Sequence, residues 1–395
     1  MKYQLKTVII LSLSLLIPLQ TVRAKNKVLV VKGGEIHTQS AGIIKDGVIL
    51  IEGAKIRAVG KQLAIPKGAK VIDATGMVVT PGIIDARTSY GLEHFGGQRE
   101  FIQPATKIKD SLKQRKNSNW LMGGVTAVYV TPPPTSLLGG FGAVIKLVGN
   151  KDEAVIREEA GMSLSFGESA LQFSSRNKPT TRQGMLGRLR QEFVRAQEYM
   201  NQRRKESGAG EVDIQLEALV KVLRREVPVR AVANTPDDIM SALRLAKEFD
   251  LKLVIDLGAG AHKVAGLLAE SKVPVVVGPS IMGLGSGGPL EMYAHTPENA
   301  GLLYKAGINV ALSTDMGFGR SVLLEGLIAK SHGLPENAAL KAITLNAAEI
   351  LGVSERLGSI EAGKDADVVI WKNHPLSTWG ESQIVIINGN IVFER

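Results

Sequence analysis

The stretch VVTPGIIDARTSYG, Val78 to Gly91, decides how the rest of the chain is read. An apolar run ends in Pro81-Gly82, resumes at Ile83, and then sets Arg87 and Ser89 two residues apart. On a β-strand, alternate residues point the same way, so the run aims two polar side chains into one space.

On the N-terminal side of this stretch, from Lys27 to Val79, short β-rich segments are separated by turns. Asp46-Gly47 and Gly53 read as turn residues. The same texture returns only near the other end, in DADVVIW (Asp365–Trp371) and SQIVIINGNIVFE (Ser382–Glu394), where Asn388-Gly389 predicts a type I′ hairpin. Neither segment has enough strands to be stable alone, so the two predict one small β-domain built from both termini.

Between them the texture alternates. GVTAVYV, GAVIKLVG, GMSLSF, PVRAV, LKLVI, VPVVVG and INVALS read as strands, with helix-like segments between most of them. Leu186, Leu189, Phe193, Ala196 and Met200 recur at spacings of three and four, one buried helical face. TPDDIMSALRLAKEF opens with a Thr235 cap and Pro236 at the first helical position. Such alternation fits a parallel (β/α)8 barrel, typically about 250 residues, and a doubly wound open sheet is its rival.

The chain has 395 residues, 44% of them apolar, enough for a large α/β domain with a small companion. Lys2 and Lys6 precede an apolar run from Thr7 to Leu19, and Val22 and Ala24 are small residues suited to signal cleavage after Ala24. The run is shorter than the about 18 to 20 residues of a membrane span, so no stable membrane anchor is expected. A cleaved signal places the mature chain in the periplasm or outside the cell. Loss of Lys2, Lys6 and Arg23 leaves 45 basic against 38 acidic residues, reducing the formal charge from +10 to +7. The basic run near Asn201–Glu206 has no aromatic interleaving, and no nucleic-acid partner is expected. With no cysteine, disulfides and thiolate metal sites are excluded.

The longer motifs carry a resemblance. VVTPGIIDA (Val78–Ala86), GGFGAVIKL (Gly139–Leu147), TPDDIMSALRLAKEFDLKLVI (Thr235–Ile255), TPENAGLLYKAGINVALSTD (Thr296–Asp315) and LKAITLNAAEILGVSERLGSIEAGKDADVVIW (Leu340–Trp371) stand in order along the chain. Together they resemble the metal-dependent amidohydrolases, specifically the secreted imidazolonepropionase-like branch. The resemblance implies a TIM (β/α)8 barrel inserted in a small β-sandwich built from both termini. Its parts would be a signal peptide over 1–24, the sandwich over 25–79 plus 358–395, and the barrel over 80–357. The implied chemistry is hydrolysis of non-peptide or cyclic amide C–N bonds. Divalent cations lower the pKa of a bound water and polarise the carbonyl.

The family's metal-binding pattern does not carry over intact. Its strand-1 histidine pair falls on Arg87 and Ser89. Its strand-5 histidine falls on Val232, with Asn234 two residues on, and its strand-6 histidine on Leu257. Asp315, in LSTD, matches the strand-8 aspartate that takes a proton from the water. Glu168 and Glu217 are candidates for the middle carboxylate. The six histidines, His37, His94, His262, His295, His332 and His374, form no pair at ligand spacing. GLGSGG, Gly283–Gly288, matches a dinucleotide string but lacks its acidic partner and reads as a loop.

The expectation is therefore an amidohydrolase-family protein without a metal cofactor, catalytically impaired and acting as a binding or structural partner. Homo-oligomerisation, or hetero-oligomerisation with an intact amidohydrolase, suits that role. Arg87 is expected to pair with Asp315, with Ser89 or Asn234 completing the hydrogen bonds. The alternatives are an active C–N hydrolase with zinc or another divalent metal in a site rebuilt around Asp315, and a barrel mouth that binds a small anionic ligand through Arg87. Export with cleavage after Ala24 makes Lys25 the first residue of the mature chain, which N-terminal sequencing of the exported protein checks; an intact Met1 start contradicts it.

Overall fold

The computed structural model describes residues 28–92, 100–113, 117–149, 151–173, 181–205, 211–280, 291, 293–315, 321–378 and 380–395. The expected signal segment, His94 and the Gly283–Gly288 run lie outside the described residues.

Five strands open the chain: β1 (Val28–His37), β2 (Ile43–Glu52), β3 (Lys55–Gly60), β4 (Lys70–Asp73) and β5 (Val78–Pro81). The middle contributes β6 (Ile83–Thr88), β7 (Val125–Val130), β8 (Leu138–Lys146), β9 (Val155–Ser165), β10 (Val229–Val232), β11 (Leu253–Leu257), β12 (Val275–Val277) and β13 (Val310–Leu312). The end adds β14 (Val368–Trp371), β15 (Ser382–Ile387) and β16 (Asn390–Glu394).

Both termini build one sheet, in the order β16-β15-β14-β5-β1-β2-β3 with β4 paired to β1. Asn388 and Gly389 both have positive φ, 50° and 71°, as a type I′ turn between β15 and β16 requires. Asp46-Gly47 behaves differently from its reading as a turn. Both residues lie inside β2, where Asp46 has a φ of 51° and the register against β1 shifts around Gly34 and Gly47. The pair makes a bulge, because the strand continues on both sides and only one residue needs the left-handed conformation.

The opening motif carries the chain from this sheet into the next. β5 pairs with β14 and β1, β6 pairs with β7, and only Gly82 separates them. A Cβ at Gly82 would lie 2.0 Å from the Thr126 hydroxyl of β7. The crossing is possible because nothing projects from the backbone there.

The second sheet runs in chain order from β6 to β13. A parallel bridge between Thr88 and Asp315 brings its ends together: Asp315 N donates to Arg87 O at 3.0 Å, and Ser89 N donates to Asp315 O at 2.8 Å. The result is a mixed α/β fold around a nearly closed eight-stranded barrel. It departs from the all-parallel expectation at one strand, since β8 runs antiparallel to both β7 and β9. The proline-rich connection after β7 spans 131–137 and holds no helix, and so short a link returns the chain antiparallel.

The two faces of the barrel are apolar for different reasons. Alternate residues such as Val229, Ala231, Leu253, Ile255, Val275 and Leu312 pack outward against helices. The helix Arg182–Lys205 buries Met185, Leu189, Phe193 and Ala196 on this side, and Pro236–Glu248 begins as expected, with the Thr235 hydroxyl accepting from Asp238 N at 3.2 Å. The inward residues Ile84, Ala127, Val144, Ala160, Val254, Val276 and Ala311 form a second cluster, plugged by Ala347 and Ile350 of the helix Leu345–Ile350. Gly82→Ala forces a methyl into the Thr126 side chain and is expected to cost about 1 to 3 kcal/mol by overpacking, measurable by chemical denaturation.

Candidate functional site

Above the inward apolar layer the barrel interior turns polar. Arg87 of β6, Arg230 of β10, Asp256 of β11 and Asp315 after β13 are all buried, with Arg230 and Asp256 fully so. Their side chains form an alternating chain of charge. Arg87 Nε donates to Asp315 Oδ1 at 3.1 Å, and Arg87 Nη1 donates to Asp256 Oδ2 at 3.3 Å. Arg230 then holds the same carboxylate with two bonds, Nε to Oδ2 at 3.1 Å and Nη2 to Oδ1 at 2.6 Å. Its Nη2 also donates to Ala86 O at 2.9 Å, and its guanidinium lies 4.2 Å from the centre of the Tyr129 ring.

Strand register explains the convergence. In the parallel ladder Arg230 and Val232 of β10 pair with Val254 and Asp256 of β11, so these residues share the inward face. Room for Arg230 comes from Gly161 of β9, where a Cβ would sit 2.3 Å from Arg230 Cγ. The charges balance, two positive against two negative, and in a medium of low dielectric that balance decides whether the groups can be buried. Burial pulls the Arg87 pKa down, but Asp315 and Asp256 together outweigh it and hold the guanidinium above its ordinary value.

Asp85, two residues before Arg87 on β6, takes different partners. It accepts from Thr314 N at 3.1 Å, from the Thr314 hydroxyl and from Arg87 N at 3.2 Å. Burial pushes its carboxyl up to about 7, against the pull of these hydrogen bonds.

The structure thus brings Arg87 and Asp315 together, as the sequence suggests, but distributes the other candidates differently. Ser89 is half-buried and joins Asp315 through its backbone N–H. Val232 faces the interior beside Asp256 and contributes only apolar surface. Asn234 turns to Glu291, Nδ2 to Oε2 at 2.8 Å, and accepts from Ala259 N, so it does not complete the arginine's hydrogen bonds. Leu257, at the end of β11 with a φ of 69°, pairs in register with Val277, which packs on the helix-facing side. The residue of β11 that reaches the interior is Asp256. Glu168, just beyond β9, gives its backbone N–H to Glu291, while Glu217 sits on the outer helix Ile214–Leu223 and accepts from Tyr199 at 2.8 Å.

Arg230 and Asp256 lie outside the ligand positions that the family resemblance implies. Their signal was present: a charged residue inside an otherwise apolar parallel strand must find a buried partner. Among the histidines, His37 and His374 meet with ring centres 5.3 Å apart, and His262 leans on Asn299. Among the described residues no group of three or more His, Cys, Asp or Glu could hold a metal ion. The interior carboxylates are already engaged by guanidinium groups, and this donor set does not fit a divalent cation, which would need nitrogen or further oxygen ligands.

Residues 294–392 match the model of the amidohydrolase family. An amidohydrolase of known structure from Thermotoga maritima superposes with a TM-score of 0.86 at 32% identity, covering 93% of this chain and 100% of that one. The chain belongs to the amidohydrolase family. It is also similar to the amidohydrolase tasK of Hapsidospora irregularis, 27% identical over 88% of this chain but only 40% of the longer relative. An imidazolonepropionase of Alkaliphilus oremlandii is 23% identical, covering 91% of this chain and 94% of that protein.

Two outcomes test the site. Arg87→Ala leaves Asp256 and Asp315 short of a cation and is expected to destabilise the fold by about 3 to 5 kcal/mol in denaturant unfolding. Asp85 binds its proton more tightly folded than unfolded, so its contribution falls as pH rises from near 4 to near 7 and is flat above. Asp85→Asn should remove that part of the slope when stability is measured across the same window.

Proposed function

We propose that this amidohydrolase-family protein is a metal-depleted, catalytically impaired member that acts as a binding or structural partner. The observation that supports the reading best is the Arg87 guanidinium between Asp315 and Asp256, 3.1 and 3.3 Å away. A hydrolase of this family requires a metal-activated water, and a fixed cation at the carboxylates repels a second one. Arg87 supplies positive charge without a coordination site for water. It therefore supports the scaffold and not the reaction.

The reading takes the architecture as a TIM (β/α)8 barrel, modified at its third strand, inserted in a small β-sandwich. It also takes the mature chain to begin after Ala24 and to work in the periplasm or outside the cell, where assembly with copies of itself or with an intact amidohydrolase would use the retained scaffold. Arg87 spends its charge on two carboxylates, which disfavours a small anionic ligand.

The deciding experiment exposes the purified protein to zinc, desalts it and measures bound metal, with Asp315→Ala in parallel. The expected result is far less than one zinc per chain in both. Near-stoichiometric zinc that disappears in Asp315→Ala, accompanied by hydrolysis of cyclic amides, overturns the proposal in favour of a rebuilt active site.

A further inference from the structure

A second buried charge cluster lies between the barrel and the small sheet, away from the interior site. Lys146 ends β8 with its side chain 1% exposed. Its Nζ lies 2.8 Å from Asp365 Oδ2, 2.9 Å from Asp367 Oδ1 and 2.5 Å from Asn388 Oδ1. The two carboxylates are not equivalent. Asp365 also receives Lys55 at 2.7 Å and Arg356 at 2.8 Å. Burial works against its ionisation, but the bonds from Lys146 and Lys55 outweigh it and hold the carboxyl down at about 2. Asp367 is buried without those extra cations, its Oδ2 has no hydrogen-bond partner among the described residues, and burial raises its carboxyl above the ordinary value. One acid stays ionised and the other is able to carry a proton.

A buried amine and a buried proton-carrying acid beside a half-buried carboxamide are the components of amide exchange. We propose that Lys146 and Asn388 are the partners of an intramolecular isopeptide cross-link, with Asp367 as the proton carrier. Lys146 passes a proton to Asp367, and the neutral Nζ attacks Asn388 Cγ. The new C–N bond forms as the C–Nδ2 bond breaks. Asp367 returns that proton to the departing nitrogen and takes up the second Nζ proton, released as the new amide forms, so ammonia leaves and Asp367 ends protonated. Nothing is oxidised or reduced, and no other reactant is consumed.

Lys146 Nζ donates to the side-chain carbonyl oxygen of Asn388, and the backbone N–H of Asn388 donates to Asp367 Oδ1 at 2.9 Å, which holds the residue beside both the amine and the acid. The ordinary competing reaction at an Asn-Gly pair is attack by the following backbone nitrogen. Here Gly389 N is engaged, donating to Ala366 O at 3.0 Å. The link would join residues 242 positions apart, fastening the barrel to the last hairpin of the small sheet. In a chain without cysteine it would supply the constraint on the unfolded state that a disulfide supplies elsewhere.

Proteolysis of the full-length protein followed by fragment sequencing in the mass spectrometer tests the assignment. The expected product is a branched peptide joining Lys146 to Asn388, lighter by one ammonia than its two parts and absent from Lys146→Arg and Asp367→Asn. Linear peptides alone from the parent protein overturn the proposal. So does ammonia loss confined to a peptide containing Asn388-Gly389, which is ring closure on the backbone, or loss of water with a link to Asp365 or Asp367. The parent digest decides the matter whether or not the variants fold.

Discussion

Two guanidinium groups and two carboxylates share a strip of barrel interior from which water is excluded, and the fold depends on their charges matching. Each of these ions alone would cost several kcal/mol to bury, and the chain of alternating sign makes the burial tolerable. The same residues close the barrel. Asp315 N donates to Arg87 O while Arg87 Nε donates to Asp315 Oδ1, so the backbone seam between the first and last strands and the side-chain ion pair fix one another. A change in one is a change in both.

That coupling ties the closing seam of the barrel to its interior charge. Asp256 and Asp315 are neutralised by guanidinium groups of the protein itself. Arg230 extends the arrangement across β10, where it grips Asp256 with two bonds and stacks over Tyr129. An arginine suits this position because its planar fork satisfies both oxygens of one carboxylate and still donates elsewhere. The interior becomes rigid and ion-paired.

Much of this was legible in the sequence. The β-rich segments at both ends predicted one small β-domain built from both termini, and the two ends do pair in one sheet. The Arg87–Asp315 pair followed from the family resemblance, which sets Arg87 and Asp315 at the strand-1 and strand-8 positions of one site. The position on β11 was displaced by one residue, because Val254 and Asp256 alternate on the inward face and Leu257 therefore falls on the opposite one. The direction of β8 was missed for a different reason. Its sequence reads as a strand whichever way it runs, and only the missing crossover helix in the connection before it sets the antiparallel course.

The two buried charge clusters share a plan, a cation between two aspartates, and differ in which cation is used. Arg87 cannot give up its proton under any physiological condition, so the interior of the barrel is electrostatically permanent. Lys146 occupies the equivalent place between Asp365 and Asp367, but an ammonium can pass its proton to a neighbouring acid once burial raises that acid's pKa. The choice of base therefore separates a cluster that can only hold charge from one that can become nucleophilic. Asn388 stands beside the second cluster, supplied by a hairpin turn whose left-handed torsion asparagine readily adopts. The residue that suits the turn is also the one whose carbonyl a neutral lysine could attack.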